Sequence, residues 1–163
     1  MELIDMSGAA RLALRPVRYE FEKTIGDEWD DNWLVIAGEV VFEGRDWSFH
    51  EPILLVDEAA EIANWLERVA TRVEAPTAAE RIGTHDDSLT FTEPNLAFSL
   101  LRYGQATATI KVHFSLESRP LNDSEGEDHF SDHPFSVAME ITLAAAASAA
   151  VIWRQQISAY PRR

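Results

Sequence analysis

The chain has 163 residues with 14 Lys and Arg against 28 Asp and Glu, which gives a formal net charge of -14 at pH 7. A chain of this length is typical of one domain, and we expect residues 1–163 to fold as one unit. The negative charge disfavours direct binding to nucleic acid or to an anionic membrane surface, because both carry the same sign of charge. The chain has no cysteine, which excludes disulfide scaffolds, thiol catalysis and cysteine-based zinc sites.

The composition, the first residues and the longest uncharged run indicate the cellular compartment of the protein. Hydrophobic residues make up 46% of the chain, which excludes global disorder. The first residues, Met1 to Asp5, lack the basic and apolar regions of a secretory signal. The longest uncharged run, residues 141–153, is shorter than the roughly 20 apolar residues that a membrane-spanning helix needs. We therefore expect a cytoplasmic protein.

In the first third of the chain, the hydrophobic pattern predicts strands. Apolar residues alternate from Ala10 to Phe21, and Pro16, which has no amide donor, predicts an edge strand with a break at that point. Residues 33–37 are apolar without alternation, which is typical of a central strand covered on both faces. That strand runs on to a turn at residues 43–46, after which aromatic and polar side chains alternate over residues 47–50. The pair predicts a β-hairpin.

An internal helix is predicted after the hairpin. Asp57 offers an N-cap side chain, acidic residues follow in the first turn, and apolar residues then recur at helical spacing until about Val73. Residues 74–84 contain Pro76 and Gly83, so the sequence leaves open whether they form one more helical turn or only a connection.

The second half predicts a meander of antiparallel strands and a closing helix. Alternation over residues 106–117 indicates a strand with one solvent-exposed face, and residues 135–143 repeat the pattern. Shorter apolar runs at residues 89–92 and 96–101 precede them. The last stripe at helical spacing predicts a C-terminal helix with arginines near its negative end: Ala149, Ile152, Trp153, Ile157 and Tyr160, with Arg154, Arg162 and Arg163.

These elements together predict the α+β class. We expect a largely antiparallel sheet or sandwich, with the internal helix and the C-terminal helix packed against it.

The acidic segment of residues 26–32 is the most distinctive local feature. It combines turn formers with four carboxylates, and Trp29 stands between two acidic pairs. A tryptophan ringed by carboxylates resembles an interface anchor with a charged rim, and a tryptophan folded back into the core is the alternative that the sequence leaves open. The spacing of the acids does not follow the order of an EF-hand calcium loop.

The histidines are weaker candidates for chemistry. His129 and His133 are four residues apart beside Asp128 and Asp132, which would suit a metal on one helical turn. However, residues 121–134 have the composition of a solvated acidic loop, so we expect no metal and no cofactor there. His50, and His113 beside Lys111, are candidate proton-transfer groups, but no nucleophile, phosphate-binding or zinc-protease motif accompanies them. The sequence therefore predicts no catalytic residue.

Several of these stretches occur in the order found in one known family. The segments are an acidic turn with Asp-Asn-Trp-Leu, a Trp-x-Phe strand, a Pro-x-Leu-Leu segment and a helix with Trp-Leu: residues 26–36, 47–49, 51–55 and 65–66, followed by residues 91–98. From about Tyr19 to Leu101 the chain resembles the WapI-type immunity proteins. From Ala106 onward only the alternating strands match.

The resemblance implies a cytosolic antidote that binds and neutralises the nuclease domain at the C-terminus of a bacterial polymorphic toxin. It implies no catalysis and provides no residue with a known binding role. We therefore predict the interface from acids and aromatics, first in the acidic segment and second in the acidic loop: Asp27, Glu28, Trp29, Asp30 and Asp31, then Glu125, Glu127, Asp128 and Asp132.

Two other functions stay open at this point. One is an acidic protein-interaction domain without a toxin partner. The other is a metal-dependent hydrolase that uses His113, His129 or His133. The sequence leaves the toxin and the oligomeric state undetermined.

Overall fold

The first half of the chain forms an antiparallel sheet in the computed structural model, which describes residues 1–77, 89–120 and 135–163. Its strands lie side by side in chain order: β1 (Glu2–Ile4), β2 (Ala10–Tyr19), β3 (Trp33–Phe42) and β4 (Arg45–Leu55). β3 is an inner strand, and Leu34, Val35 and Ile36 are buried, so both of its faces are covered. The predicted central strand and the hairpin of β3 and β4 are confirmed.

The second half forms another antiparallel sheet, again in chain order. Its strands are β5 (Leu89–Thr90), β6 (Leu96–Tyr103), β7 (Thr107–Phe114) and β8 (Phe135–Thr142). Helix α1 (Val56–Ala70) lies between the two sheets in the chain, and helix α2 (Leu143–Ile157) follows β8. The predicted α+β class, with one internal and one C-terminal helix, is confirmed. Neither helix in the described ranges is long and apolar enough to cross a membrane.

The two sheets meet around Trp47 of β4. Its ring lies edge-on to Phe114 of β7 and Phe135 of β8, with centroid distances of 5.4 Å in both cases. Its Nε1 donates a hydrogen bond of 2.9 Å to the carbonyl of Ser118. This bond satisfies the indole N–H and joins β4 to the segment that follows β7.

The helices complete the same core from another side. Trp65 of α1 contacts Phe98 of β6 at a centroid distance of 5.6 Å. Trp153 of α2 donates from Nε1 to the carbonyl of Ala59 in α1, at 2.6 Å. Both tryptophans are almost fully buried, so the apolar stripes of the helices and the inner faces of the sheets form one continuous cluster.

The prediction of an edge strand at Pro16 is correct for only part of β2. β1 pairs with Arg11 to Ala13, so the first half of β2 is an inner strand. Met1 and Leu14 then exchange backbone hydrogen bonds of 2.7 and 3.0 Å on that side. Backbone direction alternates along a strand, so the nitrogen of Pro16 faces the same side, beyond the end of the β1 pairing. The break is a register shift between Pro16 and Arg18.

Helix α1 is capped differently from the prediction. It begins at Val56, and the carboxylate of Glu58, not that of Asp57, caps it by accepting the N–H of Leu55 at 2.9 Å. The helix ends at Ala70, earlier than the predicted Val73. The N–H of Val73 bonds back to Arg68 at 2.9 Å, and Arg72 has a φ of 60°. This is the Schellman arrangement, which ends a helix with one left-handed residue.

Two other expectations need correction. Ile152 of the predicted C-terminal stripe is 45% exposed, and the buried positions of α2 are alanines and Trp153. Arg154 lies in the last turn as predicted, but Tyr160 and the two arginines after it lie beyond the end of the helix. The face of β7 expected to be exposed is largely covered, because His113 and Thr109 are buried at 5% and 7% exposure.

Candidate functional site

The acidic turn, residues 26–32, connects β2 to β3 and holds five of the predicted interface residues. Gly26 has a φ of 86°, a conformation that glycine adopts without strain. Oδ1 of Asp27 then accepts the N–H groups of Trp29 and Asp30 at 2.8 and 3.1 Å. These two backbone bonds, that from Asp30 first, lower the pKa of Asp27 because they favour its charged form. One short helical turn, Asp30–Asn32, then leads into β3.

Asp31 differs from the other acids of the turn because it points inward. Its side chain accepts the N–H of Ile25 at 2.6 Å and that of Gly26 at 3.0 Å, and the residue is only 6% exposed. A buried carboxylate that satisfies two backbone donors stabilises the turn itself. Asp31 therefore stabilises the local fold, as Asp27 does, and it is the one of the five predicted residues that is buried.

Trp29 lies on the surface. It is 61% exposed, which decides between the two alternatives that the sequence left open and excludes the core position. Ile25 and Phe21, earlier in the same connection, are also exposed, at 59% and 38%. An exposed aromatic with apolar neighbours and a rim of acids has the composition of a protein-binding surface.

The tail, residues 160–163, packs against the acidic turn, a contact that the sequence patterns did not predict. Arg162 forms ion pairs with Glu28 at 2.5 Å and with Asp57, in the first turn of α1, at 2.8 Å. All three side chains are more than half exposed, so each pair contributes about 1 kcal/mol or less. Local periodicity placed Arg162 near the helix dipole, because it carries no information about contacts between distant segments.

Asn32 makes the buried contact between the turn and the tail. Its Oδ1 accepts the N–H of Arg163 at 2.8 Å, and its Nδ2 donates to the carbonyl of Glu28 at 2.7 Å and to that of Arg163 at 3.3 Å. The residue is 4% exposed, so leaving these groups unpaired would cost free energy. Asn32 therefore fixes the end of the turn to the tail.

Aromatic contacts extend this packing to β2. The guanidinium carbon of Arg163 lies 3.4 Å from the ring centroid of Tyr19, and the hydroxyl of Tyr19 donates to the carbonyl of Pro161. The hydroxyl of Tyr160 donates to the carbonyl of Val17 at 2.7 Å. The tail thus joins β2 and the acidic turn.

The second predicted surface, Glu125, Glu127, Asp128 and Asp132, lies outside the described residues, as do His129 and His133. In the described ranges, no group of three or more His, Asp and Glu side chains is placed to hold a metal ion.

The third candidate histidine, His113, lies inside the second sheet. Its Nε2 shares a hydrogen bond of 2.9 Å with the hydroxyl of Ser99, which is fully buried. Burial lowers the pKa of His113 to about 4, and the nearby charge of Lys111 acts in the same direction. The imidazole is therefore neutral at pH 7. Because a substrate has no access to a pair this buried, its geometry is that of a core contact, whereas His50 lies exposed on β4.

Comparison with known proteins adds one match. The model of the immunity protein WapI-like family matches residues 3–161, nearly the whole chain. Among curated proteins and among solved structures, none matches.

Proposed function

Because the chain belongs to the WapI-like immunity protein family, we propose that it binds the C-terminal nuclease domain of a cognate bacterial polymorphic toxin and neutralises it in the cytoplasm. The family identifies an immunity protein, and therefore a toxin protein as its partner. Inhibition by binding alone, without catalysis, is the mechanism that we propose.

The exposed Trp29 within the acidic turn is the observation that supports this proposal most directly. Tryptophan is enriched among the residues that dominate binding energy, and such residues lie at the centre of an interface with a polar rim. The side chains of Asp27, Glu28 and Asp30 provide that rim, and all of them are exposed. We propose that Trp29 enters a pocket of the toxin and that the acids contact basic groups around it.

The charge of the chain supports a nuclease as the target. A domain that cleaves nucleic acid needs a basic surface for the phosphate backbone. A protein with a net charge of -14 is attracted to such a surface and competes with the substrate for it. The acids then determine mainly the association rate, and the contact of Trp29, which is buried in the complex, determines mainly the dissociation rate.

The decisive experiment is co-purification with the C-terminal domain encoded by the neighbouring upstream reading frame, followed by a nuclease assay with and without this protein. We expect a stable complex and loss of nuclease activity. If the domain is an active nuclease and neither binds nor is inhibited, the proposed function is wrong.

Two variants test the proposed surface. We expect Trp29→Ala to weaken toxin binding by about thirtyfold, which corresponds to roughly 2 kcal/mol for a central interface residue. Asp30→Lys should slow association and reduce its dependence on salt. Glu43→Lys is the matched control for charge, because Glu43 is exposed at the opposite end of β3, roughly 30 Å away by strand geometry. Equal effects of Asp30→Lys and Glu43→Lys would contradict a role for the acidic turn.

A further inference from the structure

Residues 21–31, which include all of the acidic turn except Asn32, have few contacts with the remainder of the molecule. The side chains of residues 21–30 are all exposed, so apolar packing contributes little to their position. Among the described residues, every hydrogen bond and ion pair that leaves residues 21–31 ends on Asn32, Arg162 or Arg163. Besides its internal hydrogen bonds and Asn32, the tail therefore supplies the contacts that hold this segment in its conformation.

Arg163 makes the more specific of the two arginine contacts. Its Nη1 donates to the carbonyl of Phe21 at 3.0 Å, at the start of the segment, while its backbone N–H is bound by Asn32 at the end of it. Its guanidinium also lies over the ring of Tyr19. One residue of the tail thus holds both ends of the connection that presents Trp29.

We propose that the tail is a positioning element of the toxin interface, which holds the acidic turn in the conformation that presents Trp29. This inference rests on the proposed function. The inference predicts a change in toxin affinity opposite in sign to the change expected from charge alone. Removing a positive charge beside an acidic surface should strengthen binding to a basic partner, whereas removing a positioning contact weakens it by costing conformational entropy on binding.

The test compares Arg163→Gln with Arg15→Gln. Both variants remove one positive charge, but Arg15 is exposed on β2, and its side chain makes no hydrogen bond or ion pair with the part of the chain that the structure describes. The first measurement is hydrogen exchange of the backbone amides in residues 20–32 of the isolated protein, which needs no toxin. We expect Arg163→Gln to speed exchange there by about tenfold with little change in the β-sheet amides, and Arg15→Gln to have no effect.

The second measurement is the affinity for the toxin domain. We expect Arg163→Gln to raise the dissociation constant by about threefold to tenfold, mainly through faster dissociation. Arg15→Gln should leave the constant unchanged or lower it slightly. Arg163→Lys, which keeps the cation over Tyr19, should recover part of the loss.

The outcomes separate the inference from the function on which it rests. If Arg163→Gln leaves hydrogen exchange in residues 20–32 unchanged, only the positioning role is overturned. The same holds if Trp29→Ala weakens toxin binding but Arg163→Gln binds the toxin as tightly as Arg15→Gln does. Unchanged binding of Trp29→Ala overturns the proposed interface and the inference together.

Discussion

β3 has a connection at each end, and the two connections reverse the direction of the chain in different ways. The β3–β4 turn consists of Glu43 and Gly44, with φ angles of 50° and 76°, and Phe42 pairs directly with Arg45 across it. The β2–β3 connection occupies residues 20–32 and needs the carboxylates of Asp27 and Asp31 and the tail to hold its shape.

The two connections differ in whether they contain more residues than joining the strands requires. Two residues with positive φ are sufficient to join antiparallel strands, because their twist matches that of the sheet. The β2–β3 connection is much longer and exposes Trp29, and neither feature helps to join the strands. Connections longer than geometry requires commonly carry binding residues, so the longer connection is the one expected to bind a partner.

Acid should produce the largest change, and it acts on the buried histidine of β7 and on neither connection directly. The pKa of His113 is lowered from 6.5 to about 4. Its neutral form therefore contributes stability that is complete above pH 6.5 and is lost as the pH falls to about 4. We expect about 3 kcal/mol of lost unfolding free energy across this range. Denaturant titrations at several pH values measure it.

The variant His113→Gln is the control for this effect, because glutamine keeps a hydrogen-bonding group near Ser99 but does not titrate. Its stability should depend much less on pH between 6.5 and 4. An unchanged pH dependence would show that His113 does not account for the loss in this range. Asp5 and Asp27, whose pKa values are lowered from 3.8, lose their contribution only as the pH falls through 3.8 and below.

Gly38→Ala should disturb the strand that joins the two connections. Gly38 pairs with Phe49 across β3 and β4, and an added Cβ would lie 2.0 Å from Cζ of that ring. We expect a loss of about 2 kcal/mol from overpacking, measured by thermal or chemical denaturation. Phe49→Leu in the same chain should restore part of the loss. A fully stable Gly38→Ala variant would contradict the close packing of glycine and ring.

Asp31→Asn and Glu43→Gln compare the two connections directly, because each removes one negative charge from one of them. The new amide in Asp31→Asn would keep one acceptor for the N–H groups of Ile25 and Gly26 and would bring a donor toward the other, so we expect a loss of about 1.5 kcal/mol. Glu43→Gln should change stability by less than about 0.5 kcal/mol, as is usual at an exposed position. Chemical denaturation of both variants measures the difference. Equal losses of stability would show that the longer connection depends on its side chains no more than the two-residue turn does.

The sequence predicted most of the fold because both sheets are built from local patterns. The alternation over residues 106–117 predicted β7, and the uninterrupted apolar run at residues 33–37 predicted the inner strand β3. Periodicity does not show what covers a face, which is why His113 was expected on an exposed surface. The missing amide donor of Pro16 predicted an edge strand, but it could not show that β1 pairs with the first half of β2.

The sequence identified the residues of the acidic turn but not the contacts between the turn and the tail. Turn formers and carboxylates identified the acidic turn, and the exposure of Trp29 required the structure. The packing of Arg162 and Arg163 against the turn joins residues more than 100 positions apart in the chain, as in the ion pair of Arg162 with Glu28. No local pattern encodes a contact of that kind, because it depends on how α2 packs against α1 and on the contacts of the tail with β2.

The smallest expected effect gives the sharpest comparison, because the same change can be made in both connections. Gly26 and Gly44 have φ angles of 86° and 76°, and a Cβ added at either position meets no atom within 4 Å. Alanine therefore costs only backbone strain, about 1 kcal/mol at each site, and the two variants should melt at similar temperatures. Toxin affinity should differ, because only Gly26→Ala distorts the segment that presents Trp29. Equal affinity of Gly26→Ala and Gly44→Ala, at equal stability, would show that the longer connection is no more involved in binding than the two-residue turn.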